Sequence, residues 1–272
     1  MDDSIAFIGG GNMARSLIGG LVARGVPAAA IHVAEPVEAL REALAKDFGV
    51  SVFDHKLQAV VGTSTWVLAV KPQLMRPVCE RLAPLAQASR PLVVSVAAGI
   101  TTAQLERWLG GALPIVRTMP NTPALLGAGV TGLFANPRVD DDGRDRTQQL
   151  LSAAGATVWI DDESKMDAVT AVSGSGPAYV FLLAEAMQAA GEAEGLPPDA
   201  ARTLALQTIL GAGRMLVESD VDAAELRRRV TSPNGTTHAA ITRFEGDGFR
   251  QLVARAVHAA TVRGKELSDA ND

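Results

Sequence analysis

One cysteine, Cys79, in 272 residues permits no internal disulfide, and that scarcity fits a reducing cytoplasm. Cys79 follows helix-like Met75-Arg76-Pro77-Val78, which makes it a buried or incidental thiol rather than a nucleophile. Histidine is also scarce. His32, His55, His238 and His258 are scattered, and no grouping with cysteine and acids has metal-site spacing, so no metal is expected. A basic excess is missing too: the net charge is −5 and the pI about 5.5, without the clustered basic face that tracks nucleic-acid phosphates. No apolar run reads as a membrane span. Ala178 to Ala190 is broken by Glu185 and Gln188 and falls short of the roughly 18 residues required. Acidic Met1-Asp2-Asp3-Ser4 leads straight into strand-like Ile5 to Ile8, so no export signal is expected. Internal repeats and low-complexity linkers are lacking as well. These absences leave small-molecule chemistry, with no nucleic-acid or membrane partner.

What is present is a chain 47% hydrophobic, long enough for one large or two moderate domains. Short runs rich in valine and isoleucine at Ile5 to Ile8, Ile31 to Val33, Val67 to Val70, Leu92 to Val96 and Ile115 to Val116 alternate with helix-length stretches. That is the pattern of βαβ units feeding a parallel sheet covered on both faces, a doubly wound α/β fold of Rossmann type. Val130 to Phe134 and Thr157 to Ile160 bracket an amphipathic helix around Gly143 to Ala154 and are expected to extend the sheet at its edge. After Asp161-Asp162-Glu163 only helical periodicity remains. The expected division is a dinucleotide-binding domain over 1–161 and an all-α domain over 162–272. In the second, Ala178 to Ala190 is apolar almost all round, and Ala201 to Val217 is dense in Ala, Leu and Gly. Such helices bury more than one side, most simply against a second copy in a homodimer. A monomeric bundle packed on the first domain is the alternative.

Gly9, Gly11 and Ala14 form GxGxxA directly after the first strand, opening a helix around Asn12 to Ala23. Gly9 permits the tight turn, Gly11 lets the backbone approach a pyrophosphate, and Ala14 allows close helix-to-strand packing. Glu35, ending the second strand, is placed to accept hydrogen bonds from an adenosine ribose, which favours NADH over NADPH. Arg41, in the following helix, softens that preference. Val70-Lys71-Pro72-Gln73, Ala97-Ala98-Gly99 and Met119-Pro120-Asn121-Thr122-Pro123 each follow a strand at the carboxyl edge, where ligands bind in open α/β sheets.

In the helical half, Val230-Thr231-Ser232-Pro233-Asn234-Gly235-Thr236-Thr237 is small, uncharged and hydroxyl-rich. Ser232 reads as a helix N-cap, Pro233 as a first-turn residue and Gly235 as a point of close backbone approach. Free N–H groups at Thr236 and Thr237 then suit a carboxylate.

With Phe7-Ile8-Gly9-Gly10-Gly11-Asn12-Met13-Ala14, Ala69-Val70-Lys71-Pro72, Val96-Ala97-Ala98-Gly99-Ile100 and Ala171-Val172-Ser173-Gly174-Ser175-Gly176-Pro177-Ala178-Tyr179, these segments make the chain resemble pyrroline-5-carboxylate reductases over essentially its whole length. The resemblance implies NAD(P)H binding by the first domain, an interlocked homodimer through the second, assembly of dimers up to a decamer, and a substrate between the domains. It implies cofactor contacts at Ile8, Gly9, Gly10, Gly11, Asn12, Met13, Glu35, Lys56, Ala69, Val70, Lys71, Pro72, Ala97 and Asn121. Ser232, Gly235, Thr236 and Thr237 match the substrate loop, with the Thr237 hydroxyl facing the ring nitrogen, and Glu163 matches an acidic position beside the substrate. Three features depart from the family pattern. Asn234 replaces a common glycine and is either stiffer or left-handed; Lys56 stands where an asparagine often contacts the cofactor; and Thr65-Trp66 replaces an acidic-valine pair, where Trp66 affects packing.

Reducing a cyclic imine needs a hydride donor held over the C=N carbon, an anchor for the carboxylate and a hydrogen-bonding partner at nitrogen. Neither a metal nor a covalent nucleophile is required. His238 follows Thr237, but adjacent helical residues point in different directions. Two rivals share the nucleotide fold. A β-hydroxyacid dehydrogenase wants a helix-borne lysine in the second half, where only Lys165 and Lys265 occur. A nicotinamide-binding regulatory protein has no need of a second, carboxylate-shaped cradle.

Overall fold

The computed structural model describes residues 4–271. Eight strands form one sheet: β1 (Ile5–Ile8), β2 (Ile31–Ala34), β3 (Ser51–Phe53), β4 (Thr65–Leu68), β5 (Leu92–Ser95), β6 (Ile115–Met119), β7 (Gly129–Ala135) and β8 (Gly155–Trp159), in the order β3-β2-β1-β4-β5-β6-β7-β8. Pairing is parallel from β3 through β6, antiparallel between β6 and β7, and parallel between β7 and β8. Helices α1 (Asn12–Ala23), α2 (Glu38–Phe48), α3 (Lys56–Ala59), α4 (Pro72–Ser89) and α5 (Thr102–Trp108) connect the parallel strands, and α6 (Asp141–Ser152) joins β7 to β8. The valine-rich runs become strands and the last two extend the edge, as the alternation predicts. β3 is too short to show as an apolar run. The strand order reverses between β1 and β4, which makes the carboxyl edge there the place for a dinucleotide.

Both faces of the sheet are covered, because consecutive residues of a strand point to opposite sides. On β1, Phe7 packs with Leu17, Ile18, Val33 and Val67 in one layer. Ala6 and Ile8 pack with Trp66, Leu68, Met75 and Ile115 in the other. Trp66 is fully buried and its indole N–H has no partner among the described residues, a cost of about 1–3 kcal/mol set against the burial of a large ring. Its role is packing. Cys79, on α4, is buried too; desolvation first and the Glu80 charge second push its thiol up to about 12, which removes the thiolate a nucleophile needs.

The chain divides into two compact units. One runs through the sheet to Ser175 and takes in the chain from Ala259 onward; the other is Gly176–His258. The first unit therefore contains α7 (Met166–Val169), the π-helical turn Thr170–Gly174 and the end of α12 (Phe249–Ala270). That end docks where Gln104 Nε2 donates to the Ser268 carbonyl at 3.1 Å, and a Cβ on Gly264 would lie 3.3 Å from Asp167.

The second unit holds α8 (Gly176–Ala193), α9 (Pro198–Glu218), α10 (Ala223–Arg229), α11 (Thr236–Gly246) and the start of α12. Gly191 lets α8 approach Ala201 of α9. α8 nonetheless buries none of its residues, and Phe181, Leu182, Leu204 and Leu210 are exposed. A monomer leaves these apolar side chains in solvent. Among the described residues, no helix is long and apolar enough to cross a membrane.

Candidate active site

β1 ends at Ile8 and the chain turns at Gly9, where φ is +106° and a Cβ would meet the Ala69 carbonyl oxygen at 2.7 Å. Gly9 N–H donates to the Ala34 carbonyl at 2.8 Å, fixing the turn against β2. Gly11 is the N-cap of α1, no side chain caps it, and its missing Cβ faces open space. The first helical hydrogen bond runs from Arg15 N–H to the Gly11 carbonyl at 2.9 Å. The N–H groups of Asn12, Met13 and Ala14 thus lack partners among the described residues and form an anion site at a helix start. The cradle fits a pyrophosphate. Ala14, 1% exposed, packs into the core beneath it.

Glu35 lies beside this loop, buried at 7% exposure. Its carboxylate accepts Gly10 N–H at 2.8 Å and Val37 N–H at 2.9 Å, so it ties the glycine loop to the start of α2. Arg41 Nη1 donates to the carbonyls of Glu35 at 2.9 Å and Pro36 at 2.8 Å, which brings a cation to the same corner. Lys56 opens α3; burial first and the Arg81 charge second hold its ammonium below the ordinary lysine range.

β4 stops at Leu68, earlier than the run to Val70 suggests, so Ala69, Val70 and Lys71 form the following loop. Ala69 N–H donates to the Ile8 carbonyl at 2.8 Å, and exposed Lys71 is the N-cap of α4, with Pro72 at its first position. Ala97, 5% exposed, follows β5. Asn121 follows β6 as more than an ordinary turn residue: its amide donates to the Ser173 carbonyl at 3.1 Å and accepts Val130 N–H at 3.0 Å. It fastens the serine-glycine turn to the sheet edge.

Glu163 is engaged inside the first unit. Its oxygens accept the N–H and the hydroxyl of Thr102, each at 2.7 Å. Arg117, from β6, lies 3.5 Å from Glu163 and 3.2 Å from Asp167, with its side chain 5% exposed. Sequence reasoning passed over Thr102, Arg117 and Asp167. The available signal was an arginine inside an apolar strand, because a buried guanidinium requires carboxylate partners.

In the second unit the hydroxyl-rich loop differs from its expected form. Ser232-Pro233-Asn234-Gly235 is a tight turn closed by Gly235 N–H to the Ser232 carbonyl at 3.0 Å. Pro233 takes the second position and Asn234, at φ +60°, the third. A proline followed by a left-handed residue is the type II pattern, and asparagine tolerates that conformation. The helix opens later than Ser232 and Pro233 suggest, at Thr236, with Gly235 as an N-cap that uses no side chain. Its first bond runs from Ala239 N–H to the Gly235 carbonyl at 3.1 Å. The N–H groups of Thr236, Thr237 and His238 have no partner among the described residues, nor has the Thr237 hydroxyl. Together they make a second candidate anion site, with the Thr236 and Thr237 hydroxyls unpartnered among the described residues beside its donors.

A nucleotide fold with an open glycine cradle, and a helical unit carrying a second candidate anion site, fit a nicotinamide-dependent oxidoreductase. Residues 163–267 match the family described as pyrroline-5-carboxylate reductase dimerisation, and residues 4–99 match NADP oxidoreductase coenzyme F420-dependent. The chain is 54% identical to a pyrroline-5-carboxylate reductase of Pseudomonas aeruginosa over 265 residues, 97% of each protein. Among solved structures, the pyrroline-5-carboxylate reductase of Coxiella burnetii is 42% identical with a TM-score of 0.95, covering 98% of this chain and 99% of that one. The Plasmodium falciparum enzyme, solved with NADP bound, is 28% identical with a TM-score of 0.83, covering 97% and 98%. The chain belongs to the pyrroline-5-carboxylate reductase family.

Proposed function

We infer that this chain reduces 1-pyrroline-5-carboxylate to L-proline with NADH or NADPH, the last step of proline biosynthesis. The observation that carries the reading is two separate helix starts with unpartnered N–H groups among the described residues, the second with the Thr237 hydroxyl unpartnered beside them. A regulatory nicotinamide binder needs only the first. The glycine loop, Asn12 and Met13 would hold the pyrophosphate, Glu35 and Lys56 the adenosine side, and the loops at Ala69 to Pro72, Ala97 and Asn121 the nicotinamide side. The bound dinucleotide supplies the hydride. Ser232 and Gly235 shape the turn that presents the Thr236 and Thr237 N–H groups to the substrate carboxylate. The Thr237 hydroxyl hydrogen-bonds the ring nitrogen and orients the C=N bond. Mixing the protein with NADH and pyrroline carboxylate should consume NADH and yield proline in equal amounts. Calorimetric binding of NADH without that turnover would favour the regulatory rival.

Four finer points belong to the same proposal. NADH is the preferred donor, supported by the buried Glu35 carboxylate. The functional boundary falls at 161/162, supported by a family match that starts at residue 163. The protein is a homodimer, with a decamer as its larger assembly, supported by the exposed apolar side chains of α8 and α9. Light scattering should give at least twice the 28.3 kDa chain mass, and a monomer at micromolar concentration would contradict it. A cytoplasmic location is supported by the single, buried thiol, and recovery in the soluble cell fraction tests it.

A further inference from the structure

Glu163 matches a position expected beside the substrate, yet each of its oxygens is engaged with Thr102 at 2.7 Å. Thr102 is the first residue of α5, where an orphan backbone N–H and the helix dipole both favour a carboxylate. The carboxylate is held from behind by Arg117, which Asp167 also pairs. Neither half-buried carboxylate can leave the buried Arg117 guanidinium without weakening its charge pairing, which holds the set in place.

What the set holds is the segment between β5 and α5. Thr101 and Gln104 form a capping box: Thr101 N–H donates to Gln104 Oε1 at 2.8 Å, and Gln104 N–H donates to the Thr101 hydroxyl at 3.2 Å. Gln104 Nε2 reaches on to the Ser268 carbonyl at 3.1 Å. Gly99 takes φ +69° and faces Ser268 closely enough that a Cβ would sit 3.6 Å from its backbone nitrogen. The segment from Ala97 to Thr101 is therefore pinned at its far end by Glu163 and backed by the end of α12.

We propose that Glu163 is a positioning residue for the dinucleotide: acting through Thr102, it fixes the Ala97–Thr101 loop at the nicotinamide end instead of touching the imine. This rests on the reading that the loop contacts the cofactor. It reassigns an acidic group expected at the substrate to the other ligand, and kinetics separates the two roles.

The test compares Glu163→Ala, Glu163→Gln and Thr102→Val in the intact protein. NADH dissociation constants come from fluorescence titration without imine, and imine KM values from assays at saturating NADH. Losing a charge-assisted hydrogen bond is worth about tenfold, so Glu163→Ala should weaken NADH about tenfold while the imine KM stays within about twofold. Glu163→Gln should recover most of the loss, since its amide can accept the Thr102 N–H and donate to the hydroxyl. Thr102→Val leaves the Arg117 pairs intact, so it reads the contact even if Glu163→Ala folds poorly. It should weaken NADH by about threefold, with the same split. A rise in imine KM at constant NADH affinity, equal rises in both, or no change in either overturns the proposal. If the wild-type chain does not reduce the imine, the functional reading fails on its own, while the NADH constants of the three variants still decide this one.

Discussion

Exchanging Glu35 for glutamine is expected to shift the ratio of kcat/KM toward NADPH by between about tenfold and a hundredfold. The upper limit comes from charge alone. A 2′-phosphate about 5 Å from a carboxylate meets a repulsion of roughly 3 kcal/mol per charge at an effective dielectric near 20, about two powers of ten. Glu35 cannot turn away to escape it, because the N–H groups of Gly10 and Val37 hold its two oxygens at 2.8 and 2.9 Å. Arg41 lowers the figure. Its guanidinium is anchored on the Glu35 and Pro36 carbonyls and offers the phosphate an opposite charge at the same corner. Glutamine keeps one acceptor for the backbone, so NADH efficiency should fall only a few-fold, by about the worth of one hydrogen bond. Arg41→Ala should move the ratio the other way and deepen the NADH preference. Steady-state assays with both cofactors decide the matter, and a wild-type protein more efficient with NADPH would sink the assignment.

The parts of this arrangement that were legible in the sequence are those encoded within a few residues. GxGxxA after a strand specifies the turn at Gly9 and the open face at Gly11 because both follow from absent side chains at fixed local spacing. Alternating valine-rich runs specify the parallel sheet for the same local reason. The turn before α11 was half legible. From sequence Pro233 reads as a first-turn helical residue, and the left-handed option at Asn234 is only one of two. Residue preference favours a helix cap at Ser232, whereas the turn delivers the chain to the helix at Gly235. The partners of Glu163 are not legible in the sequence. Thr102 and Arg117 stand 61 and 46 residues away from it in the chain, and only the folded sheet edge brings them together. Asn121 is similar, since its amide bridges to Ser173 across 52 residues. Both sites thus rest on locally written backbone geometry, supported by side-chain contacts that no spacing rule reveals.

Thr237→Ala is expected to lower kcat/KM for the imine by about ten- to a hundredfold, equivalent to 1.5 to 3 kcal/mol of transition-state stabilisation. Some threonine hydroxyls on helical turns fold back onto a carbonyl one turn earlier, as Thr147 does to Gly143 at 2.8 Å and Thr170 to Met166 at 3.0 Å. Thr237, at the second position of α11, makes no such bond, and the helix cap at Gly235 uses no side chain. Its hydroxyl is therefore available to a ligand, and its removal breaks no hydrogen bond among the described residues. The alanine variant should melt within about 0.5 kcal/mol of wild type, the range for a residue free of structural contacts, so lost activity cannot be charged to lost fold. NADH affinity should be untouched. Thr237→Ser retains the oxygen and should keep most of the rate, losing only what the methyl group contributes to rotamer choice. The backbone N–H groups of Thr236 and Thr237 survive both substitutions, so carboxylate anchoring persists and the defect should fall mainly on kcat. Wild-type kinetics in the alanine variant would move the ring-nitrogen contact to another donor and leave this loop with carboxylate binding alone.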